Sequence, residues 1–287
     1  MLLTMGKQNK DKINHLDSLL DEGLLAPTWW LEDQGYSRPL LAKYVANGRL
    51  VSPAHGVFRR PGPSLKWQHM VASLQLLMGS FLHVGGHTAL VHGGLGHYVR
   101  MRGSETILLY GPEQLPHWVN KIGLSERFAV HNDAMFGALR ARRNAQGEME
   151  DSNGHALTPK QLREMGLVEK TWGAWDWPLC YSMEERAILE VLQDVPARES
   201  VYEAYTLMQG LSNLRPELLN RLLHACTSVK VKRLFLALAE RHSHAWFRHL
   251  EISKFDLGTG KRMITPGGKL HPRFNVTLPV DLDAHAR

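Results

Sequence analysis

Four histidines within sixteen residues, His83, His87, His92 and His97 of HVGGHTALVHGGLGHY, are the residues of this chain whose type and spacing first suggest chemistry. Imidazole is a common metal ligand, and two histidines four apart on a helix can share one ion. Gly85-Gly86 stands between His83 and His87, however, and breaks the helix that would align them. No carboxylate lies nearby to hold the second ring nitrogen. The stretch reads instead as a strand ending at Val84, a tight turn at the glycines, and a buried helix beginning at Thr88. A glycine pair before a helix can also approach a triphosphate, but nucleotidyl transfer needs two carboxylates on the next strand to hold magnesium. That strand, Glu105-Thr106-Ile107-Leu108-Leu109-Tyr110, offers one. No catalytic residue, metal or cofactor is assigned, although a nucleic-acid-modifying enzyme built on these histidines stays open as an alternative.

A second constellation lies upstream, in PTWWLEDQGYSRPLLAKYVANGRLVSPAHGVFRRP from Pro27 to Pro61. Two short helical patterns flank a break at Gly35, with Ser37 placed to cap the second and Pro39 tolerated in its first turn. Leu40, Leu41, Tyr44 and Val45 fall on one face of that second helix, leaving Arg38, Ala42, Lys43, Ala46 and Asn47 outward. A slim, positive face of this kind suits the major groove, where side chains must reach base edges and flanking phosphates. Gly48 supplies a left-handed stop. Leu50-Val51-Ser52 and Val57-Phe58-Arg59 read as two strands joined through Pro53-Ala54-His55-Gly56, with Arg59 and Arg60 at the far end of the hairpin where phosphates could meet them. The segment is therefore expected to be a winged helix-turn-helix.

Charge supports that expectation. The 71 residues between Asp33 and Glu105 contain none of the chain's 28 acids but hold eight of its 34 lysines and arginines. Counterion release favours such a surface against a polyanion, and every neighbouring carboxylate would oppose it.

The elements that must position these residues follow from the rest of the chain, which has 287 residues, a formal charge of +6 and 44% hydrophobic residues. Ile13, Leu16, Leu19 and Leu20 mark an amphipathic helix behind the helix-turn-helix. Pro61-Gly62-Pro63 is a stiff break, and Ser182 opens a run of helices, so the expected domains are 1–62, 63–181 and 182–287. The fold class is α+β: an N-terminal winged helix-turn-helix, a mixed α/β central part, and a mainly helical C-terminal part closed by a small β-hairpin.

Within the central part, Leu115 to Ile122 reads as a short helix, Leu139 to Arg143 as a basic turn, Asn144 to His155 as a polar loop, and Trp172, Trp175 and Trp177 as a strand with an aromatic face. Ser182 and Glu185 form a capping-box pair for the first C-terminal helix. In SVKVKRLFLALAERH, Val231, Leu234, Phe235 and Leu238 face inward, with Lys230 and Arg233 opposite or on the flanks. Cys180 and Cys226 sit in apolar surroundings, as reduced core residues would. The N-terminus has no signal-type apolar core and no eighteen apolar residues run together, so a cytoplasmic protein without membrane contact is expected.

The order and spacing of YSRPLLAKYVANGRL, GVFRRPG, HVGGHTAL, LSNLRPELLNRLLHACTSVKVKRLFLALAERH and DLGTGKR resemble the AbiEi antitoxin family, the transcription-regulating half of bicistronic abortive-infection (phage-defence) systems. The resemblance implies an autoregulating repressor that binds inverted repeats of double-stranded DNA at its own promoter and counteracts a nucleotidyltransferase-like toxin through its C-terminal region. It places DNA contacts on Ser37, Arg38, Lys43, Asn47, Arg49, Arg59 and Arg60, and antitoxin function on Lys230, Lys232, Arg233, Lys261 and Arg262 as exposed cations. Family members often carry a basic residue at the wing tip, where this chain has Pro53-Ala54-His55. A stand-alone regulator whose C-terminal part senses a ligand or a protein is the alternative.

Overall fold

The computed structural model describes residues 12–95 and 106–285, so His97 and Glu105 lie outside the described residues. Helix α1 is seen over residues 12–19. Strand β1 (Ala26–Pro27), helices α2 (Thr28–Asp33) and α3 (Arg38–Ala46), and strands β2 (Val51–Ala54) and β3 (Val57–Arg59) follow. β3 lies between β1 and β2, antiparallel to both. Leu16 of α1 and Leu20 just after it point inward and join Leu31, Leu41, Tyr44 and Val57 in one core.

That core does not stop at Pro61-Gly62-Pro63. It continues through Trp67 and Met70 of α4 (Trp67–Ala72) into Val84, Ile107, Leu109 and Leu179 of a five-stranded sheet. The sheet has the order β6-β5-β4-β10-β9, from β4 (His83–Val84), β5 (Thr106–Tyr110), β6 (Arg127–His131), β9 (Leu167–Trp172) and β10 (Trp177–Ser182). β5 alternates faces as a strand must. Ile107 and Leu109 pack toward the N-terminal core, whereas the Tyr110 hydroxyl crosses to the helices on the other side.

Several local expectations change here. Residues 144–155 are not one loop: β7 (Ala141–Arg143) pairs with β8 (Met149–Asp151) around a turn in which the Asn144 side chain accepts from Gln146 and Glu148. Only Val119–Lys121 of the expected 115–122 helix is helical, as a single 3-10 turn. The tryptophans occupy a hairpin. Trp172 faces Trp177 across β9 and β10 with the His69 ring against both, and Trp175 stands half-exposed at the turn.

The second core is helical. After α5 (Gly86–Leu90) and α6 (Pro159–Glu164), it is formed by α7 (Glu184–Asp194), α8 (Val201–Gly210), α9 (Pro216–Ala225) and α10 (Val229–His242). A three-stranded sheet closes it: β13 (Val276–Leu278) runs between β11 (Arg262–Met263), parallel to it, and β12 (Lys269–Leu270), antiparallel. The hairpin expected from sequence is β12–β13, and β11 adds a third strand.

α7 lies between the sheet and the other helices, buried along nearly its whole length. Its N-cap is Met183, not Ser182, because the Ser182 hydroxyl and the Glu185 carboxylate are used elsewhere. Ser182 donates to Glu190 at 2.8 Å, and Glu185 binds the Arg215 guanidinium with both oxygens. Arg186, Glu190 and Asp194, spaced four apart, turn a stripe of charge toward the sheet. Glu190 accepts from His83 Nε2 at 3.0 Å, from Arg186 Nε at 3.0 Å and from the Gly86 amide at 2.8 Å. Arg186 also donates to Asp133 and to the carbonyls of Leu139 and Met165, and lies over the Phe136 ring. Asp194 accepts from the Tyr110 hydroxyl at 2.7 Å and contacts His131. Gly85 is required here, since a Cβ would sit 2.4 Å from the Glu190 carboxylate and 2.5 Å from the Tyr110 ring.

One acid beyond this stripe titrates near neutrality. Burial, reinforced by Glu203 and Asp194 against the opposing pull of His87 and His131, pushes the Glu199 carboxyl up to about 7. A carboxyl raised in the folded state adds stability below its ordinary value of 4.5, and that stability is lost as pH rises through about 7. Glu199→Gln should therefore flatten the pH dependence of the unfolding midpoint between those limits, with the variant gaining on the parent as the pH rises. Urea titrations at a series of pH values read this directly, and an unchanged profile would remove Glu199 as its source.

Candidate nucleic-acid interface

The N-terminal segment carries the candidate surface. α2 and α3 each end in a Schellman motif, which fixes the angle at which the chain leaves each helix. In α2 the Tyr36 amide reaches Leu31 O and the Gly35 amide reaches Glu32 O, both at 2.9 Å. In α3 the Arg49 amide reaches Tyr44 O at 2.8 Å and the Gly48 amide reaches Val45 O at 3.0 Å. Gly48 adopts φ +68°, and a Cβ there would meet no atom within 4 Å. Gly48→Ala should thus cost only the left-handed backbone penalty, roughly 1–2 kcal/mol. Chemical denaturation measures it, and a neutral result would mean the turn relaxes.

Tyr36 locks this turn to α1. Its hydroxyl donates to Lys12 O and meets His15 Nδ1, both at 2.9 Å, and its ring stacks on His15. Burial pushes the Tyr36 phenol up to about 12, with Tyr44 and Asp17 adding to the rise. On the other side Thr28 ties α2 to the hairpin, its amide and hydroxyl both donating to Gly56 O.

With those ties in place, α3 buries Leu41 and Tyr44 and half-buries Leu40 and Val45. Ser37, Arg38, Ala42, Lys43, Ala46, Asn47 and Arg49 are exposed. Ser37 occupies the N-cap position, but its hydroxyl makes no capping bond. Arg38 holds Glu32 at 2.9 Å while 77% of its side chain remains exposed, so this weak pair can exchange for another anion.

The two hairpin arginines are placed otherwise than expected. Arg59 donates to Pro63 O at 2.8 Å, and burial pulls its guanidinium below its ordinary value. Arg60 is paired with Asp17 at 3.3 Å and Glu22 at 3.5 Å and donates to the Asp17 carbonyl, with its side chain 20% exposed. Arg60 fastens the end of the hairpin to α1 and the turn after it, and Arg59 holds the Gly62-Pro63 segment that follows the hairpin. The hairpin also differs in detail: Pro53-Ala54 belong to β2, across an irregularity in its register with β3, and the turn is His55-Gly56. Trp29, 52% exposed at the start of α2 beside that turn, is surface that sequence reading did not single out. The Trp29-Trp30 pair gives no sign of which ring faces out.

Of the C-terminal cations, Lys261 and Arg262 are exposed. Lys230, Lys232 and Arg233 are not available as exposed groups. Lys230 Nζ donates to Gln193 O at 2.5 Å and Val195 O at 2.7 Å, where α7 ends, and burial lowers its ammonium below the ordinary value. Lys232 and Arg233 are 3% and 2% exposed, because α10 is packed by α7, α8 and β13 together and has no solvent face at this point. The basic turn at 139–143 is likewise engaged: Arg140 pairs with Asp133, Arg142 with Glu150 and Arg143 with Glu169.

The histidines diverge. His83 meets Glu190, His87 lies 3.5 Å from Glu203, and the His92 ring packs on Trp67. Among the described residues no three His, Cys, Asp or Glu side chains gather as a metal site would require. Among them, too, no helix is long and apolar enough to cross a membrane.

Comparison with known proteins then adds the family. Residues 9–101 match the N-terminal domain of AbiEi antitoxin transcriptional regulators, and residues 104–279 match the AbiEi antitoxin regulator of type IV toxin–antitoxin systems. The chain belongs to this family. The two AbiEi matches meet between residues 101 and 104, not at residue 62 or 182. Among solved structures, the crystal structure of the RV2827C protein from Mycobacterium tuberculosis is similar, with a TM-score of 0.54 and 16% identity over 95% of this chain and 92% of that one. No curated protein matches. The AbiEi assignment makes the chain an antitoxin-type transcriptional regulator, and its fold mixes α and β elements.

Proposed function

We propose that this AbiEi regulator binds inverted repeats in its own promoter through the outer face of α3, represses its operon, and counteracts a nucleotidyltransferase-like toxin through its C-terminal region. The observation that carries the first part is the division of α3. Leu41 and Tyr44 fix the helix to the core, while Ser37, Arg38, Lys43, Asn47 and Arg49 stand exposed without steric cover. In this reading α3 lies in the major groove, with Ala42 and Ala46 leaving room for close approach. Arg59 and Arg60 hold the hairpin in place, and the phosphate-contacting role expected of them passes to Arg49 and Lys43.

Titrating the full chain against a labelled promoter fragment tests it. Arg38→Ala and Lys43→Ala should each weaken binding by about 1–3 kcal/mol, with a shallower salt dependence where a phosphate contact is lost. Unchanged affinity in both variants would remove α3 as the reading helix. The antitoxin role rests on Lys261 and Arg262, and co-expression of the Lys261→Ala/Arg262→Ala variant with the toxin tests it separately. Full rescue by that variant would move neutralisation to another surface.

A further inference from the structure

Arg38 differs from the other cations on the outer face of α3. Its Nε donates to Glu32 Oε1 at 2.9 Å, whereas among the described residues Lys43 and Arg49 make no ion pair. The two side chains of the Arg38 pair are 77% and 38% exposed, so the contact adds little to stability. Both partners nevertheless stand on pinned backbone. The Glu32 carbonyl accepts from the Gly35 amide at 2.9 Å in the turn that closes α2, and the Ser37 carbonyl, next to Arg38, accepts from the Leu41 amide at 3.0 Å.

A guanidinium has two donating edges, one shared by Nε and an Nη, the other formed by both Nη groups. Glu32 takes the first through Nε, and among the described residues Nη1 and Nη2 bond to nothing. The fork of the two Nη groups is thus left open. Arg38 is the first residue of α3, and residues at that end reach base edges when such a helix lies in the major groove. Ala42, one turn on, is exposed and adds no bulk beside it.

Two groups of a DNA duplex could take the fork. A phosphate carries charge, so it would compete with the Glu32 carboxylate for the guanidinium and be repelled by it. Guanine presents two neutral acceptors, O6 and N7, at the spacing of the fork. It is bound without displacing Glu32, and a side chain already held loses less freedom on binding. We propose that Arg38 reads one guanine in each operator half-site with Nη1 and Nη2, and that Glu32 is the positioning residue that aims it; this rests on the operator reading of α3. Lys43 and Arg49, which no carboxylate holds, are left for the phosphates.

Titration of the full chain against labelled promoter fragments, each guanine replaced in turn by 7-deazaguanine, tests both parts. The replacement removes N7 and keeps the base pair. At one guanine per half-site it should weaken the parent about fivefold or more, the fold-change of one lost hydrogen bond. Arg38→Ala should bind more weakly overall and be indifferent to the replacement there. Glu32→Ala should lose most of the penalty, and Glu32→Gln, whose amide oxygen can still accept from Nε, should retain it. Thermal unfolding confirms that the variants fold. Were Glu32 only a repulsive charge, both of its variants would tighten promoter and unrelated duplex alike with the penalty intact, and its positioning role would be overturned. A penalty at no guanine, or one that survives in Arg38→Ala, would overturn the base contact. Weakening by Lys43→Ala would then still leave α3 as the reading helix, whereas unchanged promoter affinity in both Arg38→Ala and Lys43→Ala would remove the operator reading itself.

Discussion

Glu190→Leu should destabilise the protein by about 3–5 kcal/mol, the cost of breaking a buried ion pair from one side. The carboxylate is completely buried, and its removal strands four donors at once: His83 Nε2, the Ser182 hydroxyl, Arg186 Nε and the Gly86 amide. Arg186, itself 0% exposed, would keep only Asp133 as a counter-charge. Burial acts to raise Glu190, but its bonds from His83, Arg186 and Gly86 prevail and hold the carboxyl below its ordinary 4.5. The sign follows. A carboxyl depressed by folding adds stability above its unfolded value, and that stability is lost as pH falls through the folded one. The parent should therefore show a steeper acid limb in its urea midpoint below about pH 4.5 than Glu190→Leu does. By contrast, Arg142→Ala breaks a pair whose arginine is 44% exposed and should change stability by less than about 1 kcal/mol. A Glu190→Leu protein as stable as the parent would mean that the stripe of charge on α7 is dispensable.

The same network shows which features were legible in the sequence. The turns around α3 were legible because glycine, serine and proline act locally: Gly35 and Gly48 stop helices through backbone conformation, and no tertiary partner decides it. The placement of β4 and α5 around Gly85-Gly86 was legible for the same reason. The stripe Arg186, Glu190 and Asp194 was not, because charges four apart on a helix ordinarily read as a solvated face. Here that face meets His83, Asp133, Tyr110 and His131, which come from three other strands and loops. Only their juxtaposition makes burial of the charge tolerable. The pairing of Arg60 was not legible for a related reason. Sequence places it at the end of a hairpin, but Asp17 and Glu22, which claim it, lie about forty residues earlier.

Arg233 presents the same reversal in the C-terminal part, and Arg233→Met should cost about 3–5 kcal/mol. Its guanidinium donates to Leu257 O at 2.6 Å, Gly258 O at 2.9 Å, Gly260 O at 2.6 Å and Asn275 O at 3.3 Å. One buried side chain thus collects three carbonyls of the DLGTG loop and that of Asn275, just ahead of β13. Gly258 and Gly260, at φ +62° and +75°, let the loop fold its carbonyls inward toward the guanidinium. Methionine keeps the bulk but removes every side-chain donor that draws these carbonyls together, and lysine cannot reproduce the fork of donors. Since Lys261 and Arg262 begin where this loop ends, losing the anchor should also release them. Limited proteolysis should then cut Arg233→Met near residues 257–262 at concentrations that leave the parent intact. Retention of both stability and protease resistance would show that the terminal sheet alone holds the loop.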